Sequence, residues 1–305
     1  MLTFVQDRIV ASTVGLFSHG PRPLEHTLDH PGDPGLLGPE SVSWRVIGDA
    51  SAFVAGIRAL VVQTAHPEVV AGVEDHSRYR SDPLGRLSRT SRFVTETTYG
   101  AMPEVDAAVA AVRRAHRPVQ GRSERDRPYR ASAPELAAWV HNVLTDSFLV
   151  SYQQYGPERL SAADADRFVA EQARVGSLLG ASPLPDNAGD LHNWIVQHPA
   201  LDSSAALGAS IAFLRSPPLP LVVRPAYRLL HDAALATVPA RIADIVDAHP
   251  TVGATTRGAA SVRFLRWALG SSPSWHLALV RVGADVPART FRQPLPDGVE
   301  IGVPA

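Results

Sequence analysis

The segment SAFVAGIRALVVQT at residues 51–64 constrains this chain most. Apolar side chains fall at Phe53, Val54, Ile57, Leu60, Val61 and Val62, which leaves hardly any face of a helix polar. Such a helix must be enclosed by others, so the remainder of the chain has to supply its walls. The flanking sequence does so with further helical periodicity. Short helices are expected over 1–17 and from Pro67 to Val73, and longer ones from Leu87 to Tyr99 and from Pro103 onward. A long helix starts at Pro134 and runs to the Tyr155-Gly156 step. Ser161 and Asp164 open the next in the manner of a capping box, and Gly180 closes it. Others are expected near 190–198, 203–215, 225–248 and 254–269. No alternating strand pattern and no repeat interrupts this series. The expected fold class is therefore all-α. A single multi-helix domain over 1–305 is expected, with residues 1–43 as a helix-and-loop arm and 287–305, containing Pro294 and Pro296, as an extended tail.

Composition narrows the chemistry. A hydrophobic share of 45% with 19% charged residues excludes a disordered chain. The net charge of −1 gives no general attraction to nucleic acid. There is no cysteine, which removes disulfides, thiolate-ligated haem, iron–sulfur clusters and cysteine zinc sites. All 29 basic residues are Arg, so Schiff-base and P-loop lysine chemistry is excluded too. The N-terminus lacks a secretory pattern and no window reaches the ~20 apolar residues of a membrane span, so a cytoplasmic location is expected.

Groups able to do chemistry concentrate between Trp44 and Gly121. The polar run EDHSRYRSDPLGRLSRT (74–90) holds His76, Arg78, Arg80, Asp82, Arg86 and Arg89 between two apolar helices. It can be a solvated connection, or it can roof a pocket. On the helix after Pro103, Val105, Val109, Val112 and His116 share one stripe, so His116 is expected to face inward as a core residue or a ligand. His141 likewise shares a stripe with Ala137, Leu144, Phe148, Tyr152 and Tyr155 and can bond a backbone carbonyl or act as a second ligand. His26 and His30 are four apart, but Pro31 and the absence of helical pattern undercut a metal pair. HExxH, paired Glu-x-x-His, GxGxxG, GxxxxGK[ST] and GxSxG are all absent. What remains is two inward histidines, an arginine-rich segment and apolar walls, a set that suits a haem pocket or a pocket for an apolar organic ligand.

Several long motifs carry a resemblance. These are GDPGLLGPESVSWRVIGD (32–49), IRALVVQTAHPEVVAGVEDHS (57–77), YRSDPLGRLSRT (79–90), RRAHRPVQG (113–121), YRASAPELAAWVHNVLTDSFLVSYQQYG (129–156) and AADADRFVAEQ (162–172). In this text the chain resembles the MpaB-type and latex-clearing-protein (rubber oxygenase) family, most strongly over residues 30–180. The resemblance implies an all-helical fold with a globin-like core, haem b, and dioxygen-dependent cleavage of isoprenoid carbon–carbon double bonds. By motif it implies that His116 is the proximal haem ligand and the metal-binding residue, and that Arg86 and Thr90 are distal polar residues. Arg89 stands where rubber oxygenases carry a Lys that approaches the iron. A guanidinium stays protonated and ligates poorly, so an open or water-bound sixth position and a substrate smaller than rubber are expected.

Three functions follow as expectations. The first is a haem oxygenase-like enzyme in which His116 holds iron, with Arg86 and His141 also candidates for cofactor binding and Arg86, Arg89 and Thr90 serving bound oxygen. Its partners would be dioxygen and a small apolar, unsaturated substrate, with no nucleic acid and no membrane span. The second is a haem or apolar-ligand binding protein without turnover. The third is a metal-free enzyme using His66, His76 or His141 as acid–base groups.

Overall fold

The helical periodicity is realised along nearly the whole chain. The computed structural model describes residues 2–286, so the expected extended tail lies outside the described residues. The chain is all-α apart from one small hairpin. In order it forms α1 (Leu2–Phe17), a 3-10 turn (Thr27–Asp29), α2 (Val42–Ile47), α3 (Ala52–Gln63), α4 (Pro67–His76), α5 (Pro83–Tyr99) and α6 (Met102–His116). The strands β1 (Gln120–Arg122) and β2 (Pro128–Arg130) follow, then α7 (Pro134–Tyr155), α8 (Ala162–Leu178), α9 (Ala188–Val196) and α10 (Ala205–Arg215). The described chain ends with α11 (Arg224–Leu235), α12 (Ala240–Val246), α13 (Ala254–Leu269) and α14 (Pro273–Val282).

Helix α3 is central, as its apolar faces require. It packs along α7 on one side and against α11, α10 and α12 elsewhere. Val54, Ala55, Val61 and Val62 are fully buried. Arg58 is equally buried, in the middle of this apolar helix. Its Nη1 lies 2.8 Å from Asp146 Oδ2 on α7 and donates to Ser147 Oγ at 2.8 Å. Its Nε donates to the Thr237 carbonyl at 3.1 Å. The Asp146 contact is close but poorly aligned as a hydrogen bond, so it acts as an ion pair. Burial alone would raise the Asp146 carboxyl; Arg58 and then His192 outweigh it and hold the group below its ordinary value.

Four local features differ from the sequence reading. Residues 121–133, polar enough in sequence to be expected as a loop, instead hold most of an antiparallel hairpin over 120–130, with Gly121 opposite Tyr129. Its turn places Asp126 at φ 55°, and the Ser123 N–H donates to the Arg127 carbonyl at 2.8 Å. Tyr129 is buried and donates to Asp75, which fastens the hairpin to α4. The span 225–248 is two helices, because Pro239 cannot continue α11 and disfavours a helical residue before it. Helix α5 begins at Pro83, capped by Asp82, whose side chain accepts from the Gly85 N–H at 3.0 Å. Helix α14 was not anticipated, although Pro273 at its first turn and Gly283 at φ 69° after it are ordinary boundary signals.

The junction between α5 and α6 is clamped from outside. Arg281 on α14 is buried and donates from Nε to the Asp33 carbonyl at 2.7 Å. Its Nη1 donates to Thr27 Oγ1 and the Tyr99 carbonyl, each at 2.6 Å. The Asp33 carboxylate accepts from the Met102 and Gly35 amides at 2.9 and 2.7 Å. Gly35, at φ 70°, passes so close to the junction that a Cβ there would lie 2.2 Å from the Gly100 carbonyl oxygen. The 18–43 arm is thus a brace on the α5–α6 junction.

Candidate functional site

Helices α5 and α6 carry most of the residues singled out by sequence. They pack on each other around the Gly100-Ala101 link, both of whose residues are extended. Residues 96–101 are buried, and so are Val105, Ala108 and Val109. Burial falls away from this junction along both helices. On α6, Val112 is half-buried and His116 exposed; on α5, Arg86 is half-buried and Arg89 and Thr90 are exposed. Arg86 and His116 lie at nearly equal distances from the junction, each roughly 20 Å along its helix at 1.5 Å per residue.

His116 does not face inward as its stripe predicts: it is exposed at the last turn, because α6 outruns the partners that bury Val105 and Val109. Enough protein still surrounds the imidazole for desolvation to lower its pKa. The ring is neutral at neutral pH and makes no hydrogen bond, ion pair or ring contact among the described residues.

Arg86 lies with its guanidinium carbon 5.8 Å from the centre of the Tyr79 ring. Burial lowers its pKa, although a guanidinium remains a cation. Among the described residues its guanidinium makes no salt bridge and no hydrogen bond, although the Glu74 carboxylate acts on it electrostatically. The surrounding cations do: Arg80 Nη2 lies 2.8 Å from Glu74 Oε2, and Tyr79 also donates to Glu74. Ser210 Oγ on α10 donates to Glu74 at 2.9 Å, and Phe213 meets Tyr79 edge-on at 4.8 Å. The polar run after α4 is therefore tied down onto α10.

Arg89 pairs with Asp82 at 3.1 Å on the surface. The Thr90 hydroxyl has no partner among the described residues. No hydrogen bond, ion pair or ring contact joins His116 to Arg86, Arg89 or Thr90.

His141 sits away from this pair, between α7 and α8. Its Nε2 lies 2.8 Å from the Gln172 carbonyl, to which it donates, and burial pushes its pKa down to about 4. Gly176 makes room for the ring: a Cβ there would lie 2.7 Å from His141 Cδ2. His76 reaches the Gln120 carbonyl from the end of α4 at 3.1 Å. His66 is buried against Trp139 and His198, with ring centres 5.6 and 5.4 Å away. Burial first, opposed by Glu68, takes its pKa to about 4.

Sequence reasoning missed two buried polar groupings. One is the Arg58–Asp146 pair, signalled by a lone charge within an apolar helix. The other is the carboxylate of Glu68, held by Arg125 Nη2 at 2.7 Å and Ser123 Oγ at 2.9 Å beside the His66, Trp139, Trp194 and His198 rings. No local signal joins the latter residues, which come from α4 and the residue before it, the hairpin, α7, α9 and the turn after α9.

Two hollows open elsewhere on the surface. One is lined by Arg215, Leu219, Arg224, Tyr227 and Arg228, the other by Glu74, Asp75, Arg122, Glu124 and Ser204 with Pro67 and Ala71. Among the described residues no group of three or more His, Asp or Glu side chains is arranged to hold a metal by itself. No described helix is long and apolar enough to cross a membrane. No curated protein and no solved structure matches the chain. The catalytic-domain family described as ER-bound oxygenase mpaB/B′ and rubber oxygenase matches residues 44–267, from α2 to the end of α13, and the chain belongs to that family.

Proposed function

We propose that this chain is a cytoplasmic haem b-dependent oxygenase acting with dioxygen on a small apolar, unsaturated substrate of isoprenoid type. The observation that carries this reading is His116: a neutral, accessible imidazole without a protein partner, in a chain whose family is an oxygenase catalytic domain. A macrocycle brings four nitrogen ligands of its own, so one protein histidine would suffice to hold its iron, and His116 is the residue that would do so. Arg86 is a desolvated cation whose guanidinium makes no salt bridge, Glu74 acting on it only from a distance, and this suits a propionate or another anionic oxygen.

When bound, haem supplies an iron centre that activates dioxygen for attack on a carbon–carbon double bond. The chain's own work is donation and exclusion. His116 stays deprotonated at neutral pH and so remains able to ligate. Arg86 and Thr90 would offer N–H and O–H donors to negative charge on oxygen. Arg89 is paired with Asp82, and its guanidinium stays protonated and would be a poor ligand. His141, engaged with Gln172, acts as a structural tie between α7 and α8. Metal-free acid–base chemistry has less support, because His66 and His141 titrate near 4 in buried settings, far from neutrality.

The test is oxygen uptake by the haem-loaded protein with small isoprenoid olefins, with carbonyl products read by mass spectrometry. Uptake matched by carbonyl product is expected, and Arg86→Leu should lower its rate by about 10²-fold. A haem-loaded protein that consumes no oxygen with any such olefin would be a binding protein, not an enzyme.

A further inference from the structure

We propose that the loop between α10 and α11, with the first turns of α11, docks on an anionic lipid bilayer. The loop reads SPPLPLVV, and its three prolines limit backbone freedom and remove N–H donors. At its tip Leu221 is 76% exposed and Val222 70% exposed, adjacent to each other and to exposed Pro218 and Pro220. Two neighbouring large apolar side chains in water are unfavourable unless something covers them.

The charges beside the tip specify what that is. Arg215, Arg224 and Arg228 line one hollow at its base, together with the half-buried Tyr227. None of the three has a carboxylate partner among the described residues; Arg224 Nε donates only to the Leu219 carbonyl, at 2.9 Å. Asp232, the acid on the same helix, is occupied by Arg257 at 2.8 Å and by Thr251. An apolar tip collared by three guanidiniums without carboxylate partners, on a chain of net charge −1, matches a surface with an apolar interior and a phosphate exterior. A site placed there would also meet apolar substrates where they partition. Docking itself requires no haem, so its failure and the failure of the oxygenase reading are separately visible.

Co-sedimentation of the full chain with vesicles decides it, comparing phosphatidylcholine alone with phosphatidylcholine containing phosphatidylglycerol. Binding to the anionic vesicles, weakened by salt, is expected, with little binding to the neutral ones. Arg224→Ala and Arg228→Ala should each weaken it about fivefold. The double variant Leu221→Asp with Val222→Asp should abolish it while circular dichroism stays unchanged, since both side chains are exposed. Absence of binding to anionic vesicles, or variants that bind like the parent, would overturn the proposal. So would self-association that the double variant removes without any vesicle binding, because the tip would then meet a second copy.

Discussion

At the scale of single residues, buried charge and buried neutral histidine set the stability. Arg58 and Asp146 compensate each other inside the apolar helix pair α3–α7. Arg58→Leu leaves the carboxylate buried without its counter-charge, and thermal or denaturant unfolding should show a loss of about 3–5 kcal/mol. His66, His141 and His276 set the acid limit. All three have folded pKa values near 4 against an ordinary 6.5. Between those values the unfolded chain binds more protons, so stability falls as pH drops from about 6.5 to 4. Each group accounts for roughly 3 kcal/mol of that fall. His141→Gln should flatten the slope of unfolding free energy against pH in this window. Asp146, held low, adds a second loss at still lower pH, as acid protonates it. A variant with an unchanged slope would mean that His141 is not buried neutral.

At the scale of elements, the α5–α6 pair is positioned by its neighbours. The Arg281 and Asp33 contacts fix the junction, α1 packs along α5, and the His116 end of α6 is exposed. Gly35→Ala combines a strained φ with a Cβ 2.2 Å from a carbonyl oxygen, and it should cost about 2–4 kcal/mol by thermal melting. Gly176→Ala, driven into His141 and Leu184, should cost about 1–3 kcal/mol in the same measurement. Element boundaries are legible at Pro67, Pro134, Ser161 and Gly180, where a proline or a cap coincides with a change in apolar periodicity. Pro83, Pro239 and Pro273 carry the same kind of mark without such a change beside them. The hairpin was illegible because its strands span three residues each, too few for an alternating pattern, and its stability comes from Tyr129 reaching Asp75 on α4.

At the scale of the whole molecule, the all-α class followed from periodicity and the family from long motifs in order, and both hold. The inward direction of His141 was also legible from its stripe. That of His116 was not, because a stripe gives the face of a helix but not where the neighbouring elements stop. The unpaired state of Arg86 was equally out of reach: it depends on Glu74 being taken by Tyr79, Arg80 and Ser210, which come from α10 and the chain after α4. The three-arginine hollow beside Leu221 arises the same way, since only the packed structure shows which arginines find carboxylates.

The central claim is that His116 ligates haem iron. Titration of the purified chain with haemin, followed by its absorption spectrum, tests this most directly. The account predicts one haem per chain with a sharp Soret band, lost or strongly shifted in His116→Ala and restored to that variant by added imidazole. A His116→Ala protein that takes up haem with the parent's spectrum and affinity would contradict it.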